Sequence, residues 1–367
     1  MSIKINKAVQ KSKPYKLVTQ KAWNEKNHSN VLKLDWNEST ILPSPKVINA
    51  LKDLVNNGSL NWYPNINNEE LISKLAQYCK VNKDNIQYFN GSDSIHEAIF
   101  KTFSSDGDRL TIVGPTYDHP RSVAECFGLK IDYFYTNSKN FTFCKTEFIN
   151  HIKDIKPHLA YICTPNNPTG NSIDHNDIES VIKMFPQILF IVDEAYIEFG
   201  KESCNLPSEK YRNLIITRTF SKAFGLASLR IGYCISNKVN IDMMNKFRNP
   251  KSINLFAQVG AIAALEDINY TQEYVNNVKT NREIFIEKMK NDFSNYLSAF
   301  KSDGNFVLLK MNKNYQPERL MKSFEDKKIY IRNYSHIKGL ENCIRITIGN
   351  EKQTNKVIDL LSIFFNN

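Results

Sequence analysis

The residues whose chemistry stands out lie close together, from Thr219 to Arg230. Thr219, Ser221, Lys222 and Arg230 stand between two apolar runs that predict β-strands. A lysine amine becomes a useful nucleophile when apolar or positive surroundings lower its pKa, and Arg230 could contribute to this. The guanidinium of Arg230 and the two hydroxyls suit a phosphate group. A lysine able to form a Schiff base beside a phosphate clamp is what pyridoxal phosphate requires, although a solvated Lys and Arg flanking a turn would look the same.

Strand and helix patterns alternate on both sides of this stretch. Predicted strands occur at Ile86–Phe89, Arg109–Val113, Lys130–Tyr135, Leu159–Cys163, Ile188–Val192, Asn213–Thr217 and Arg230–Ile235. Helical stretches are predicted near 118–127, 145–154, 174–185 and 222–227. Continuous apolar strands between helices are typical of an α/β fold, with a mostly parallel sheet of about seven strands covered on both faces.

The remaining segments predict a second, smaller domain. A helical region runs from about 254 to 291, and strands at Phe306–Leu309, Ile329–Arg332 and Ile344–Ile348 indicate an α+β unit. We predict that residues 1–45 form an N-terminal arm and part of the small domain. Residues 46–253 are predicted to form the large domain, and residues 254–367 the linking helix and the small C-terminal domain.

Composition narrows the class of protein. The formal net charge of +10 comes from 48 Lys and Arg against 38 Asp and Glu without a basic run, which favours anionic small molecules over nucleic acid. No apolar run is long enough for a secretory signal or a membrane span. The seven cysteines show no C-x-x-C spacing and most lie in apolar runs, which predicts free, buried thiols in a reducing compartment. We therefore predict a cytoplasmic protein with no membrane or nucleic-acid partner.

Polar residues follow other predicted strands, where ligands of open parallel sheets collect. Gly91-Ser92-Asp93 opens a helix, so it is either an anion site or an ordinary N-cap. Tyr117 could stack on a planar ring or pack at the rim. Asn167 lies in a rigid turn between Pro165 and Pro168, each of which could follow a cis bond.

Asp193 ends an apolar strand, where a buried carboxylate needs a cation, a donor or a helix to cap. A protonated pyridine nitrogen would be a suitable partner. Each site alone has an unremarkable explanation, but a parallel sheet would deliver Asn167, Asp193, Lys222 and Arg230 to one crevice. Jointly they supply a partner for the phenolic oxygen, the ring nitrogen, the aldehyde and the phosphate of pyridoxal phosphate.

With these residues the chain resembles the fold-type I pyridoxal phosphate aminotransferases, and most closely the histidinol-phosphate aminotransferase subfamily of the class II enzymes. The shared motifs run in the same order over nearly the whole chain: Trp62-Tyr63-Pro64, Gly91-Ser92-Asp93, Pro115-Thr116-Tyr117, Pro165 to Gly170, Val192 to Tyr196, Ser221-Lys222-Ala223, Leu229 to Tyr233, and Gly339 to Gly349. The resemblance implies the two-domain fold and amino-group transfer between glutamate and a phosphorylated keto compound.

The resemblance also implies residue roles. It implies that Lys222 forms the Schiff base with the cofactor, that Asp193 binds the pyridine nitrogen, and that Asn167 and Tyr196 bind the phenolic oxygen. Tyr117 would stack on the ring. The residues implied to bind the cofactor phosphate are Gly91, Ser92, Asp93, Thr219, Ser221 and Arg230. Tyr63 would reach the cofactor phosphate of the neighbouring subunit, which implies a homodimer with shared active sites. The predicted substrate-binding residues are Arg345 for a carboxylate, Arg332 for a phosphate, and Asn37; no metal site is predicted.

One segment departs from the subfamily pattern. The usual Asn-Glu-Asn-Pro-x-Gly-Pro-Ser-Pro is here Asn37-Glu-Ser-Thr-Ile-Leu-Pro-Ser-Pro45, which changes the wall on the substrate side. The sequence therefore leaves open whether the keto substrate carries an imidazole, as in histidinol phosphate metabolism, or is smaller, as in the conversion of dihydroxyacetone phosphate to serinol phosphate. A decarboxylase of the threonine-phosphate type is a further alternative. A non-catalytic regulator is a weaker one, because residues 1–35 are too short for a DNA-binding helix-turn-helix.

Overall fold

The chain begins with short helices and one short strand, which precede the strands of the main β-sheet. The computed structural model describes residues 3–15, 20–200 and 207–366. The elements before the main sheet are helix α1 (Lys7–Lys11), strand β1 (Leu32–Lys33), and helices α2 (Pro45–Asn57) and α3 (Glu69–Cys79). The Ser44 hydroxyl accepts a hydrogen bond from the Val47 amide at 3.3 Å, and Pro45 occupies the first turn, so α2 begins where its capping sequence predicts.

Seven strands form the main sheet. They are β2 (Ile86–Phe89), β3 (Arg109–Gly114), β4 (Lys130–Tyr135), β5 (Leu159–Cys163), β6 (Leu189–Asp193), β7 (Leu214–Thr219) and β8 (Gly232–Ser236). Their order across the sheet is β2-β8-β7-β6-β5-β3-β4, and only β8 runs antiparallel to its neighbours. The predicted α/β fold with a mostly parallel sheet is thus confirmed.

Helices cover this sheet on both faces. The helices between its strands and directly after β8 are α4 (Gly91–Phe103), α5 (His119–Cys126), α6 (Lys145–Ile155), α7 (His175–Met184) and α8 (Lys238–Phe247). Alternate residues of each strand enter different cores: Phe190 and Val192 of β6 pack on one side, and Ile191 packs with α4 and α8 on the other. This alternation explains why the strands read as continuous apolar runs.

The C-terminal part forms a second, smaller sheet. Its elements are helices α9 (Leu255–Leu265) and α10 (Ile268–Asp292), strands β9 (Leu297–Ala299) and β10 (Phe306–Met311), helix α11 (Pro317–Glu325), strands β11 (Ile329–Tyr330), β12 (Arg332–Asn333) and β13 (Cys343–Thr347), and helix α12 (Glu351–Asn366). The antiparallel order is β12-β13-β10-β9, while β11 pairs in parallel with β1. Short 3₁₀ turns lie at Lys21–Asn24, His28–Asn30, Lys83–Asn85, Ile197–Phe199, Ala227–Leu229 and Pro250–Ser252.

Three local expectations differ from the structure. The predicted helix at 222–227 is wrong: the segment is a turn in which Gly225 adopts φ +70°, followed by the 3₁₀ turn at Ala227–Leu229. Arg230 is not in a strand, because its own left-handed backbone (φ 53°) precedes β8. The predicted strand Ile329–Arg332 is divided between two sheets as β11 and β12.

The expectations for the cysteines and for domain division have mixed outcomes. The described cysteines are all free; three are buried, two are half-buried and Cys144 is exposed, while Cys204 lies outside the described residues.

No helix in the described ranges has the length and apolar character to cross a membrane. The boundaries at 45 and 253 stay predictions; α9, assigned to the C-terminal unit, packs on α2 and α3.

Gly232 at the start of β8 gives the first testable prediction. A Cβ at this position would lie 2.8 Å from the Arg218 carbonyl oxygen and the Ser92 amide nitrogen, both main-chain atoms that cannot move independently. We expect Gly232→Ala to lower the free energy of unfolding by about 1–3 kcal/mol through overpacking. Chemical denaturation of the two proteins measures this, and equal stability would show that the contact between β8 and the start of α4 is loose.

Candidate active site

Three adjacent strands place the first reactive side chains at one edge of the sheet. Cys163 of β5 pairs with Asp193 of β6, which pairs with Thr217 of β7. Asn167 follows β5 in a loop whose bonds preceding Pro165 and Pro168 are both cis, and Lys222 follows β7. Because parallel strands end at a common edge, Asn167, Asp193 and Lys222 emerge together.

Asp193 is almost fully buried and is held by uncharged donors. The Tyr161 hydroxyl donates to its Oδ2 at 2.7 Å, and the Ala195 amide donates to its Oδ1 at 3.1 Å. His96 Nε2 lies 3.6 Å from Oδ2, and burial lowers the pKa of His96, which favours the neutral ring. A carboxylate has about four acceptor positions, so Asp193 retains capacity for a further N–H donor.

Lys222 has the properties of an amine nucleophile. Its Nζ donates to the Trp36 carbonyl oxygen at 2.9 Å and lies 5.8 Å from the centre of the Tyr196 ring. Burial lowers the pKa of Lys222 to about 8, and nearby Arg345 acts in the same direction, while Glu38 opposes the shift. A substantial fraction of this amine is therefore neutral near physiological pH.

A cradle for an oxyanion lies beside Lys222. Gly91 begins α4 with φ +78°, and a Cβ there would lie 2.5 Å from Nη2 of Arg230. Arg230 donates from Nη1 to Ser221 Oγ at 3.4 Å and from Nη2 to Asp93 Oδ2 at 3.2 Å, while Thr219 Oγ1 donates to Ser221 Oγ at 3.0 Å. A guanidinium, two hydroxyls and the N-terminus of a helix suit a phosphate.

Aromatic side chains border this cradle. The Tyr117 hydroxyl donates to Asp93 Oδ1 at 3.3 Å, and the Tyr117 ring lies beside the His119 ring at 6.1 Å with an interplanar angle of 18°. Tyr15, from the N-terminal arm, meets the Tyr117 ring edge-on at 6.1 Å. The arm therefore belongs to the border of the site.

Two arginines approach from the small sheet. Arg345 is 2% exposed; its Nη1 donates to the Tyr334 hydroxyl at 2.8 Å and to Asn167 Oδ1, and its Nη2 donates to the Asp35 carbonyl oxygen. Arg332 pairs directly opposite Arg345 across β12 and β13. Among the described residues neither guanidinium forms an ion pair with a carboxylate, and the Nε of each is buried without a hydrogen-bond partner.

The segment from Leu34 to Asn37 connects these groups. Its carbonyl oxygens receive Arg345 and Lys222, and Asn37 Nδ2 donates to the Tyr196 hydroxyl at 3.1 Å. Asn37 is fully buried with φ 56°, and its side-chain Oδ1 accepts from Thr347 Oγ1 at 3.1 Å. The segment thereby brings the two sheets to one site.

The structure brings most of the predicted site residues into this network of contacts. One group of contacts contains Asn37, Asn167, Tyr196, Lys222 and Arg345, and Arg332 pairs opposite Arg345. A second group contains Gly91, Asp93, Tyr117, Thr219, Ser221 and Arg230, with Ser92 in the first turn of α4. Asp193 ends β6 in register with Cys163 and Thr217 at the same edge of the sheet. Tyr63 is 78% exposed and contacts Lys251 instead, so its predicted role toward a neighbouring subunit stays a prediction.

The sequence reasoning missed several residues that position these groups. They are Tyr15, His96, His119, Tyr161 and Tyr334. Of these residues, only Tyr161 could have been found from the sequence, because its polar hydroxyl lies inside the apolar strand before Asn167. The others come from helices, loops and the arm, whose contacts with the site depend on tertiary packing.

Comparison with known proteins identifies the class. The family model for aminotransferase class I and II matches residues 29–361. The chain therefore belongs to this family, and it is a pyridoxal phosphate-dependent transaminase. The predicted cofactor and the resemblance to histidinol-phosphate aminotransferases are confirmed.

Individual relatives narrow the comparison. A dihydroxyacetone phosphate transaminase from Campylobacter jejuni subsp. jejuni is 45% identical over 364 residues, covering 98% of this chain and 96% of the relative. A histidinol-phosphate aminotransferase from Ruminiclostridium cellulolyticum is 32% identical, covering 91% and 93%. The crystal structure of the Sinorhizobium meliloti histidinol-phosphate aminotransferase, in complex with pyridoxal 5'-phosphate, matches with a TM-score of 0.86 at 22% identity, covering 99% of both chains.

The described residues fit this cofactor. A Cβ at Gly91 would displace the Arg230 guanidinium and would strain a backbone with φ +78°, and the donors around Gly91 suit the phosphate. The Asp193 carboxylate can accept from a ring nitrogen, and the buried Lys222 amine can react with an aldehyde.

The lowered pKa of Lys222 leads to the second testable prediction, which concerns the pH dependence of cofactor binding. We expect the rate at which apoenzyme captures pyridoxal phosphate to rise with pH through an apparent pKa near 8, because only the neutral amine is nucleophilic and burial lowers the pKa to about 8. Stopped-flow absorbance across pH 6–11 measures it. The exposed Lys352→Ala variant is the control and should show the same profile. An inflection above pH 10 would contradict the prediction.

Proposed function

We propose that the protein transfers the amino group of glutamate to dihydroxyacetone phosphate, forming 2-oxoglutarate and serinol phosphate. The observation that carries this proposal is the pair Arg332 and Arg345, which face each other across β12 and β13 without a carboxylate partner among the described residues. Two guanidinium groups in one site suit a substrate pair in which a phosphate monoester alternates with a dicarboxylate.

The electrostatics of these arginines support anionic substrates. Like charges directly opposite on neighbouring strands repel each other, and burial lowers the pKa of Arg345 below its usual value. Arg345 is surrounded by neutral acceptors, the Tyr334 hydroxyl and the Asn167 amide oxygen. An anionic substrate would offset both the repulsion and the desolvation of the buried charge.

Two observations favour the three-carbon ketone over one that bears an imidazole. The C. jejuni relative, named for dihydroxyacetone phosphate, shares 45% of residues over almost the whole chain, against 32% for the histidinol-phosphate enzyme of R. cellulolyticum. The wall of the pocket also departs from the subfamily pattern at residues 39–42, where the first Pro and the Gly are absent. The imidazole-bearing substrate remains the alternative.

The side chains divide the work of transfer among them. When bound, pyridoxal phosphate withdraws electrons from the amine-bearing carbon and so stabilises negative charge there. Arg230, Ser221 and Thr219 would hold its phosphate and Lys222 its aldehyde carbon. Asp193 would keep its ring nitrogen protonated through a hydrogen bond.

The remaining polar groups set orientation and proton movement. Asn167 and Tyr196 would bind the phenolic oxygen of the ring, and burial raises the pKa of Tyr196, which keeps its hydroxyl protonated as a donor. The Lys222 amine, whose pKa burial lowers to about 8, would accept the proton from the amine-bearing carbon of the substrate and deliver it to the aldehyde-derived carbon of the cofactor, on the other side of the nitrogen.

We also propose a homodimer in which Tyr63 serves the partner's site. Trp62 and Tyr63 are 73% and 78% exposed, and Lys251 Nζ lies 4.6 Å from the centre of the Tyr63 ring. Adjacent exposed aromatic rings are typical of an interface.

A product assay tests the proposed reaction. We expect glutamate to convert the holoenzyme to its amino form, and dihydroxyacetone phosphate to convert it back with release of serinol phosphate. Absorbance follows each half-reaction and mass spectrometry identifies the product. If only the imidazole-bearing ketone converts the amino form back to the original holoenzyme, that ketone is the substrate. If the enzyme instead releases carbon dioxide from a phosphorylated amino acid and transfers no amino group to 2-oxoglutarate, it is a decarboxylase.

The role proposed for Arg332 gives a further prediction. We expect Arg332→Ala to lower kcat/KM for the phosphorylated half-reaction about 10- to 100-fold, the value of a hydrogen bond to a charged group, and to affect the glutamate half-reaction far less. Single-turnover absorbance measures both. The exposed Arg319→Ala is the control. Equal losses in the two half-reactions would remove the reason for assigning the phosphate to Arg332.

A further inference from the structure

Trp36 lies at the centre of the segment that joins the reactive groups. Its carbonyl oxygen accepts from Lys222 Nζ at 2.9 Å, the preceding carbonyl accepts from Arg345, and the following side chain donates to the Tyr196 hydroxyl. The main chain of Trp36 therefore stands between the amine and the guanidinium that the proposed reaction uses.

The indole of Trp36 has an unused hydrogen-bond donor. Its Nε1 is buried and forms no hydrogen bond with the described residues. A buried N–H without an acceptor is uncommon because it loses its water without compensation. The main chain of Trp36 contacts the Lys222 amine, and the indole of the same residue keeps a donor that is free to bond a ligand atom.

The indole is also held in place. Lys33 Nζ lies 4.6 Å from the centre of the ring, and the same ammonium contacts Asp35 Oδ1 at 2.9 Å and the Glu38 carboxylate. Because two carboxylates fix this cation over the indole, the ring has little freedom to turn its N–H toward another acceptor.

We propose that Trp36 determines substrate specificity by donating its indole N–H to the free hydroxyl of the phosphorylated keto alcohol. This inference rests on the proposed function, in which Arg332 takes the phosphate. Dihydroxyacetone phosphate has two arms beside its carbonyl carbon, one bearing the phosphate and one a hydroxyl. A site built to bond a hydroxyl discriminates against the analogue without it, because its buried donor is then left unpaired.

A comparison of two ketones tests the inference. Acetol phosphate has a methyl group where dihydroxyacetone phosphate has its hydroxymethyl group, so the ratio of their kcat/KM values isolates the hydroxyl. We expect the wild-type holoenzyme, first converted to its amino form with glutamate, to favour dihydroxyacetone phosphate about tenfold or more. In Trp36→Phe, which keeps the ring and removes the N–H, the ratio should fall toward one.

Controls separate this role from a structural one. Trp23→Phe, at a residue that is 63% exposed and outside the site, should keep the wild-type ratio. Trp36→Phe should lose more of its rate with dihydroxyacetone phosphate than with glutamate, and its thermal unfolding midpoint reports whether it folds. A wild-type ratio near one overturns the inference even if that variant does not fold.

The opposing outcomes are distinct. A wild-type enzyme that aminates both ketones equally, or a Trp36→Phe variant that retains the wild-type ratio while all rates fall together, overturns the inference and leaves the proposed function intact. A wild-type enzyme that reacts with glutamate but aminates neither ketone overturns the proposed function, and the inference with it.

Discussion

Parallel pairing of β5, β6 and β7 is the constraint on which the active site depends. The register that places Cys163 beside Asp193 and Asp193 beside Thr217 sets three strand ends at one edge. A slip of one residue would turn Asp193 to the opposite face of the sheet, away from Lys222. The apolar packing on both faces, where Phe190 and Ile191 enter different cores, opposes such a slip. Packing of the strands therefore determines the relative positions of the proposed catalytic groups.

The second sheet contributes through one short segment. Leu34 accepts a main-chain hydrogen bond from Thr347 of β13 at 3.0 Å, and the next two carbonyl oxygens accept from Arg345 and Lys222. The arginine of the small sheet and the lysine of the large sheet thus bond to neighbouring peptide groups. Any change in the path of this segment would alter both the proposed substrate-binding and the proposed cofactor-binding halves of the site.

Positive charge is concentrated where the ligands are expected. Lys222, Arg230 and Arg345 approach one cleft; Arg230 contacts Asp93 there, while Glu38 is engaged by Lys33 and Arg345 has no carboxylate partner among the described residues. Holding these cations together costs stability in the absence of anions. For Lys222, whose folded pKa of about 8 lies below its unfolded value, stability is reduced below pH 8 and recovers as pH rises toward the unfolded value. Anionic cofactor and substrate would offset the remaining cost, so binding and stability are coupled.

The sequence by itself determined the class of fold and the family and predicted the candidate residues of the cofactor site, because alternating strands and helices and the motifs around Asn167, Asp193 and Lys222 are local patterns. It did not predict that the segment after Lys222 is a turn rather than a helix, in which Gly225 adopts the left-handed conformation with φ +70°. It also missed Tyr161 and His96 as partners of Asp193, and the unsatisfied indole of Trp36. These depend on which side chains meet across strands, helices and the two sheets, and only tertiary packing decides that.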